Sequence, residues 1–381
     1  MLSSRSHTLR VQRLLTQCQR RGLNDLVSSP SSHRPIASYG PPGRSAVSGH
    51  IATVFGCTGF LGRYLVAKLG CYGYSRPRIA KNGTQVVVPY RDQDEARHLK
   101  LMGDLGQVVH MEWDIRNDDQ IAECLRHSDI VYNLVGRDYE TKNFTYNDVN
   151  AAGAGRIAKV AAEWKVPRFV HVSHLNASHI SDSKFYRTKM EGEDLVKEAF
   201  PHATIVRPST MFGYEDKLLN NIAIWSIWWK LNHGETKIRP VHVMDVAQAL
   251  ANLEGMPALP KALNLPGPST LSFNYLINLV ASVTYNVEVG KGPVIPKRIA
   301  MVLAAAAQRV YWPTLTPDEV LRRFMDDSDV PGDWEKVGVV PEEIEAHALT
   351  YLRRYRSSDN FVRPLVLPNR DSSDVSLLPL L

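Results

Sequence analysis

Short apolar runs and amphipathic stretches alternate along the first half of the chain. The run 51–55 is apolar and rich in β-branched residues, which predicts a buried strand. Similar runs follow at 84–90, 107–113, 129–135 and 168–172. Apolar residues recur at helical spacing between these runs, over 64–69, 118–127, 147–164 and 185–200. This alternation predicts an α/β fold with a Rossmann-like doubly wound parallel sheet, covered by helices on both faces.

The second half of the chain predicts a smaller, mostly helical C-terminal cap region. Within 217–231, three tryptophans at helical spacing predict a helix that packs on the core or faces a partner: Trp225, Trp228 and Trp229. Residues 295–313 have cations at one end, aromatic residues at the other and an apolar middle. This pattern is typical of an amphipathic helix on a membrane or in a protein groove, and a core helix of the cap is the alternative.

Four regions follow from these patterns. The expected boundaries are a leader and linker over 1–45, a Rossmann core over 46–215, a C-terminal region over 216–356 and a tail over 357–381. The C-terminal region is expected to complete the sheet and to carry helices that face a partner or a membrane. The tail is expected to be poorly ordered or bound to a partner.

The net charge of +6 belongs to the N-terminus, because residues 1–50 hold seven arginines and one acid, Asp25. This segment is rich in Arg and Ser and lacks the long apolar core of a secretory signal. It therefore predicts a mitochondrial transit peptide that is removed before residue 45, with a disordered basic tail as the alternative. The remaining chain is neutral, which argues against nucleic acid as a partner.

Cysteine and histidine positions suggest no metal site. The four cysteines, at positions 18, 57, 71 and 124, form no CxxC pair. His171, His174 and His179 are close in sequence but lack a carboxylate pattern, so we expect neutral structural histidines. No apolar run approaches the roughly 20 residues that span a bilayer, so any membrane association is expected to be peripheral.

Three glycines, Gly56, Gly59 and Gly62, separate the first strand from the first helix. Strand, glycine turn and helix form the context of a dinucleotide-binding fingerprint, although the spacing is GxxGxxG and not GxGxxG. The first glycine permits the turn, the second lets backbone N–H groups approach a pyrophosphate, and the third allows close packing of the helix. The helix N-terminus then faces the phosphates. A tight connection without a ligand is the alternative.

Arg91 ends the second predicted strand. An acid at this place would bind the ribose hydroxyls of NAD, whereas an arginine suits the 2′-phosphate of NADP. Arg63 follows the glycine motif, and both arginines together could hold a phosphate. The sequence therefore favours NADP(H) over NAD(H), although Asp92 argues in the other direction.

Several landmarks occur in the order found in the extended and atypical short-chain dehydrogenase/reductases. These are GCTGFLGR, PYR, DIR, NLVG, FVHVS, a lysine in helix 185–200, IVRPSTMFG and RPVHVMDVAQAL. The chain resembles this family over residues 50–270. The resemblance implies an adenine near Asp114 and a nicotinamide near Pro208. The implied cofactor-binding residues are Gly56, Thr58, Gly59, Phe60, Leu61, Gly62, Arg63, Arg91, Asp114, Ile115, Leu134, Val135, Gly136, Ser173, Lys189 and Pro208.

The catalytic positions of the family are only partly kept. The family uses a Tyr, a Lys four residues later on one helix, and a Ser after the fifth strand. Lys189 matches the lysine, but Phe185 stands at the tyrosine position and His174 follows Ser173 where the family commonly has its catalytic serine. The side chain of Tyr186 points about 100° around the helix from that of Phe185, so it does not face the same place. We therefore expect a degenerate site at Ser173, Phe185 and Lys189, with activity through Tyr186 and Ser173 as the alternative.

Within this family the chain is similar to the nucleotide-binding accessory subunits of mitochondrial respiratory complex I, also over residues 334–356. This resemblance implies a non-catalytic subunit of the peripheral arm near the membrane arm, on the matrix side of the inner membrane. It implies one tightly held, structural NADPH, other complex I subunits as partners, lipid contact and no homo-oligomer. The alternatives are an active NADPH-dependent reductase or epimerase of the matrix and an organellar RNA-binding member of the family.

Overall fold

The computed structural model describes residues 48–70, 83–104, 106–224, 230–286, 292–310 and 316–370. The expected leader, the three tryptophans of 225–229, residues 311–313 and the end of the tail lie outside these ranges. The strands are β1 (Ile51–Phe55), β2 (Gln85–Tyr90), β3 (Val108–Glu112), β4 (Ile130–Asn133), β5 (Arg168–Val172), β6 (Thr204–Pro208), β7 (Met211–Phe212), β8 (Lys230–Leu231), β9 (Lys237–Ile238), β10 (Val241–His242), β11 (Ala262–Leu265), β12 (Leu271–Ser272) and β13 (Val294–Ile295). The α-helices are α1 (Phe60–Gly70), α2 (Gln93–Ala96), α3 (Asp118–Leu125), α4 (Gly153–Glu163), α5 (Lys184–Ala199), α6 (Leu218–Ile224), α7 (Val243–Glu254), α8 (Phe273–Thr284), α9 (Lys297–Val310), α10 (Pro317–Arg322), α11 (Trp334–Val337) and α12 (Ile344–Leu352).

A parallel sheet organises the molecule. Within the described ranges it has seven strands in the order β11-β6-β5-β4-β1-β2-β3. All six pairings are parallel, with Ala52 of β1 opposite Val86 of β2 and Ile130 of β4. The predicted doubly wound fold is confirmed. The strand order reverses between β1 and β4, and in such sheets ligands bind at the carboxyl ends of the strands beside this point.

Helices bury both faces of the sheet. Strand β1 is buried along its whole length, as its apolar sequence predicts. One face packs against α1 and α7 in a core that includes Val54, Leu65 and Leu250. The other face packs against α3 and α4 around Phe55 and Ile157. These two cores fix the carboxyl ends of the strands from which the candidate site is built.

The predicted helix over 147–164 is wrong in its first turns. Residues Asn147–Ala152 form a π-helical turn, and the α-helix begins at Gly153. The side chain of Asn150 in this turn is buried and hydrogen-bonds to the backbone of Arg137, accepting from its N–H at 3.1 Å and donating to its carbonyl at 3.3 Å. Single π-helical turns are frequent at functional sites.

The C-terminal region contributes β11 to the sheet and has a core of its own. Helices α6, α8 and α12 pack around Leu219, Leu276 and Ala348. Of the helix expected over 217–231, the structure describes Leu218–Ile224 as helical, and Lys230–Leu231 form β8. In the described part of the expected tail, Leu365 packs on the C-terminal core and Arg370 pairs with Glu343 and Glu345, whereas most of the other side chains are exposed. Every helix of the described ranges is too short or too polar to span a membrane.

Candidate functional site

A cavity of about 670 Å³ lies at the carboxyl ends of β1, β2, β3 and β4, where the strand order reverses. It is lined by the glycine turn, by strand-end residues and by four arginines. The lining residues are Gly56, Thr58, Gly59, Arg63, Pro89, Arg91, Asp94, Glu95, His98, Trp113, Asp114, Ile115, Arg116, Leu134, Val135, Gly136, Arg137, Phe144 and Val149.

Each glycine of the turn has a different steric environment. Gly56 has φ +81°, and a Cβ atom there would lie 2.9 Å from the carbonyl carbon of Leu134. A Cβ atom at Gly62 would lie 2.3 Å from the carbonyl oxygen of Gly56, so only glycine lets α1 pack this closely on the turn. A Cβ atom at Gly59 would have a single close neighbour among the described residues, the Gly56 oxygen at 3.2 Å. Gly59 also lines the cavity. The protein fold therefore requires glycine at 56 and 62, whereas Gly59 keeps space for a ligand.

Ten of the sixteen residues expected to bind a cofactor line this cavity. They are Gly56, Thr58, Gly59, Arg63, Arg91, Asp114, Ile115, Leu134, Val135 and Gly136. Leu61 is instead buried in the core, and Phe60 packs edge-on against the ring of Tyr64. The cavity lining also lacks Gly62, Ser173, Lys189 and Pro208.

Sequence reasoning missed several wall residues. Trp113 packs against Phe55 with ring centroids 4.8 Å apart and borders the cavity from β3. Arg137 directly follows the recognised NLVG motif, so its position was available from the sequence. Phe144 and Val149 come from the loop and the π-turn after β4, and no local pattern in the sequence signals their place.

Among the arginines at the phosphate end, Arg91 and Arg63 differ in their contacts. The Arg63 guanidinium pairs with the carboxylate of Glu215 and donates to the carbonyl of Thr58 at 3.1 Å. Arg91 lines the cavity and forms no ion pair with any described residue. Asp92, which had argued for NAD(H), accepts a hydrogen bond from the N–H of Asp94 and caps α2. Arg91 therefore lines the cavity without a counter-charge among the described residues, whereas Arg63, which also lines it, is paired with Glu215.

The end of the cavity at which the family resemblance implies an adenine is built from the residues after β3. The Asp114 carboxylate accepts a hydrogen bond from the N–H of Arg116 at 2.8 Å. The Arg116 guanidinium lies 4.2 Å over the ring of Phe144. A second cavity of about 460 Å³ shares Arg116 and Phe144 and extends to Arg156. Stacking cations and an aromatic ring give this end a surface suited to a flat heterocycle.

The degenerate catalytic positions are buried. Lys189 donates to the carbonyl of Val172 at 3.4 Å, and its Nζ lies 5.9 Å from the centre of the Phe185 ring. Burial lowers the pKa of Lys189 to about 8, which the charge of Glu193 only partly opposes. The Lys189 ammonium also lies against Gly136, where a Cβ atom would approach it to 2.7 Å. Lys189 is therefore held just behind the cavity wall.

Tyr186 and the histidines take structural places. Tyr186 is 5% exposed and packs against the His174 ring with centroids 4.8 Å apart. Burial raises the pKa of Tyr186 and lowers that of His174 to about 4. Burial also lowers the pKa of His171 to about 3. These two histidines are neutral at physiological pH, so neither supplies a proton to the site.

Behind Lys189, a buried ion pair connects α5 to β6. The Glu193 carboxylate is fully buried and accepts two hydrogen bonds from Arg207, at 2.8 and 2.6 Å. Burial alone would raise the pKa of Glu193, but the hydrogen bonds and the charge of Arg207, together with the charge of Lys197, lower it. The pair fixes the helix that carries Phe185 and Lys189 against the sheet.

One further group among the described residues offers three metal-binding side chains: His242, Glu342 and His347. The two imidazoles are stacked, with centroids 4.1 Å apart and planes at 17°. Their in-plane lone pairs are therefore nearly parallel and do not converge on one ion. His242 Nε2 instead lies 2.7 Å from the hydroxyl of Tyr351, and this cluster joins α12 to the start of α7.

Comparisons with known proteins agree with this geometry. The model of the NAD dependent epimerase/dehydratase family matches residues 52–253. The chain is 40% identical over 350 residues to the mitochondrial NADH-ubiquinone oxidoreductase 40 kDa subunit of Neurospora crassa. This alignment covers 91% of this chain and 90% of the relative. It is 39% identical over 340 residues to the NADH dehydrogenase (ubiquinone) 1 alpha subcomplex subunit 9 of Rattus norvegicus, and this alignment covers 85% of each chain.

A solved structure shows the same fold at low identity. The triphenylmethane reductase of Citrobacter matches with a TM-score of 0.61 and 14% identity, over 80% of this chain and 99% of that one. The same reductase complexed with NADP(H) matches with a TM-score of 0.58 at 14% identity.

Proposed function

The chain belongs to the NAD dependent epimerase/dehydratase family, and from that premise and its likeness to the NADH-ubiquinone oxidoreductase subunits we propose that it is a non-catalytic accessory subunit of mitochondrial respiratory complex I. One observation carries this proposal. Identity of 40% extends over 91% of the chain, well beyond the 52–253 segment that defines the general family. The shared sequence thus includes the C-terminal region, which the nucleotide-binding fold itself does not need.

The proposed cofactor is one NADPH per chain. The glycine turn at the N-terminus of α1 offers a place for the pyrophosphate. Arg91 lines the cavity without an ion-pair partner among the described residues, which suits the 2′-phosphate of NADPH. NADPH, when bound, would bring a hydride donor to this site. The chain contributes binding groups at Gly59, Arg91 and Asp114.

The absence of catalysis rests on Phe185. A phenyl ring has no exchangeable proton, and loss of one acid or base group lowers rates by roughly 10²–10⁴. Tyr186 does not replace it, because its ring packs on His174 and its pKa is raised by burial. The lysine that remains, Lys189, can hold a cofactor but has no partner phenol at position 185.

A bound nucleotide would then act as a structural element. A ligand that binds only the folded chain stabilises it by about 4 kcal/mol at a thousand times its dissociation constant. Such stabilisation would favour assembly of this chain with other complex I subunits. We place the chain in the peripheral arm, close to the membrane arm and on the matrix side of the inner membrane.

Helix α9 provides the proposed lipid contact. Its exposed apolar residues Ile299, Val302 and Leu303 recur at helical spacing, and Lys297 and Arg298 at its start are exposed. Helix α9 contains no acidic residue. An apolar face beside cations suits a surface of anionic phospholipid.

Co-sedimentation with vesicles that contain anionic phospholipid tests this contact. We expect Val302→Asp to lower binding, and Val340→Asp, at an exposed site on another surface, to leave it unchanged. Equal binding of both variants would contradict the lipid contact.

Native gel electrophoresis of gently solubilised mitochondria tests the proposed function. The chain, detected by mass spectrometry, is expected in the band with NADH:ubiquinone oxidoreductase activity. Migration alone or as a small oligomer would contradict the assignment. A soluble chain that then oxidises NADPH with a carbonyl substrate would be a matrix reductase, and one retained on RNA would be an RNA-binding protein.

A further inference from the structure

Residues 316–328, called here the closing segment, pack over Phe185, which stands at the position of the family's catalytic tyrosine. The segment begins with Thr316, whose hydroxyl caps α10. Asp318 is buried and accepts hydrogen bonds from the hydroxyl of Ser183 at 2.9 Å and from the N–H of Lys184 at 2.7 Å. Both donors lie at the start of α5, the helix that carries Phe185 and Lys189. The closing segment is therefore fixed to the degenerate catalytic helix itself.

The other end of the closing segment is fixed to the sheet. Asp327 accepts hydrogen bonds from the Asn176 side chain at 2.7 Å and from the hydroxyl of Ser209 at 2.7 Å. Asn176 follows β5, and Ser209 directly follows β6. Ser328 also donates its backbone N–H to Asn176, at 2.9 Å. Open α/β sheets bind their ligands outside the carboxyl ends of their strands. At the carboxyl ends of β5 and β6, the Asp327 carboxylate occupies this place.

Between these two anchors, the closing segment covers Phe185. The Arg322 guanidinium lies 4.8 Å from the centre of the Phe185 ring and donates to the carbonyl of Asp138 at 3.3 Å. Met325 packs into the cluster of Tyr146, Phe185 and Tyr186. As a result Phe185 is 8% exposed. Arg322 bridges the two sides of the site, because Asp138 belongs to the loop after β4.

We propose that the closing segment is a built-in occupant of the substrate position, with Arg322, Met325 and Asp327 as the residues that exclude a carbonyl substrate. The site then accepts a dinucleotide, because the cavity for its adenosine half is open. It does not accept a second reactant beside the dinucleotide. The dinucleotide part of this statement rests on the proposed function. The exclusion of substrate rests only on the contacts of the closing segment.

Accessibility of position 185 tests the closing segment directly. Phe185→Cys is prepared in the full chain without nucleotide and treated with N-ethylmaleimide, and the modified peptide is followed by mass spectrometry. Ile180→Cys, at a position that is 93% exposed, supplies the reference rate. We expect the thiol at 185 to react about a hundredfold more slowly, because it requires local opening. Adding Arg322→Ala should raise its rate at least tenfold, whereas Arg354→Ala, remote from Phe185, should not.

A measurement on the unsubstituted chain keeps the test valid if Phe185→Cys does not fold. Nitration by tetranitromethane should spare Tyr186, which is buried, and modify Tyr214, which is 49% exposed. Reaction of position 185 or Tyr186 at the rate of its exposed reference would overturn the proposal. NADPH binding, followed by its fluorescence, is read separately. Its failure would refute the proposed cofactor while leaving the closing segment in place.

Discussion

Replacement of Gly59 by alanine should remove the nucleotide without damaging the fold. The substitution adds one methyl group, whose only close neighbour among the described residues is the Gly56 oxygen at 3.2 Å. A displacement of a few tenths of an ångström relieves this contact. The methyl group projects from a residue that lines the cavity, at the place where the fingerprint brings backbone N–H groups close to a pyrophosphate.

The expected size of the effect follows from ligand linkage. At a thousand times its dissociation constant, NADPH stabilises the wild-type chain by about 4 kcal/mol. At roughly 2 °C per kcal/mol for a chain of this length, the melting temperature should rise by about 8 °C. Gly59→Ala should lose this rise, and its melting temperature without nucleotide should stay within about 2 °C of the wild type.

Gly62→Ala is the matched comparison. Its added methyl group would lie 2.3 Å from the Gly56 oxygen and 2.6 Å from the Cα atom of Cys57, so α1 must move away from the turn. Overpacking of this kind destabilises by about 3 kcal/mol, or about 6 °C in the melting temperature, even without nucleotide. Thermal melting of the three purified chains, with and without NADPH, measures both effects. A full NADPH shift in Gly59→Ala would refute the assignment of this turn to the pyrophosphate.

Three further predictions concern the charged residues of the site. Arg91→Gln should weaken NADPH binding about tenfold or more and leave NADH binding little changed. The control Arg97→Gln, at an arginine that pairs with Asp94, should change the binding of neither nucleotide. Titration calorimetry measures these affinities, and equal losses for NADPH and NADH in Arg91→Gln would contradict the role of Arg91. Burial lowers the pKa of Lys189 to about 8 from its ordinary 10.5. Between these two pH values the unfolded chain holds a proton that the folded chain has released. The free energy of unfolding should therefore rise by about 3 kcal/mol as the pH increases through this range. Urea unfolding at pH 7, 8.5 and 10 should show a smaller rise in Lys189→Met, and parallel curves would refute the assignment. Glu193→Gln should destabilise the chain by about 3 kcal/mol in the same assay, because Arg207 loses its counter-charge, and a change below about 1 kcal/mol would show that the pair is dispensable.

The sequence was sufficient for the features that depend on local pattern. The apolar run of β1, the glycine turn and the alternation of strands and helices follow from periodicity and turn chemistry, and the sheet confirms them. The loss of the catalytic tyrosine was also visible, because a spacing of four residues on one helix defines where it should stand. Phe185 faces Lys189 in the structure, as that spacing requires.

Features that depend on distant parts of the chain were not predictable. Arg63 lines the cavity, but no local pattern in the sequence signals its ion pair with Glu215, which lies more than 150 residues away. Asp92 argued against NADP(H) in the sequence, and in the structure its carboxylate accepts a backbone hydrogen bond at the start of α2. Met325 packs against Phe185, which is also far away along the chain, and no periodicity links the two. Such contacts are set by tertiary packing, which a single sequence does not encode in any local pattern.

The central claim is that a subunit of the respiratory complex holds NADPH for stability. Complex I isolated by native electrophoresis should be denatured in organic solvent and its released nucleotides quantified by mass spectrometry, with the wild-type chain and with Gly59→Ala. We expect one NADPH per wild-type chain, and in cells with Gly59→Ala a lower yield of complex that lacks NADPH. Fully assembled complex that contains the wild-type chain and no NADPH would contradict the claim.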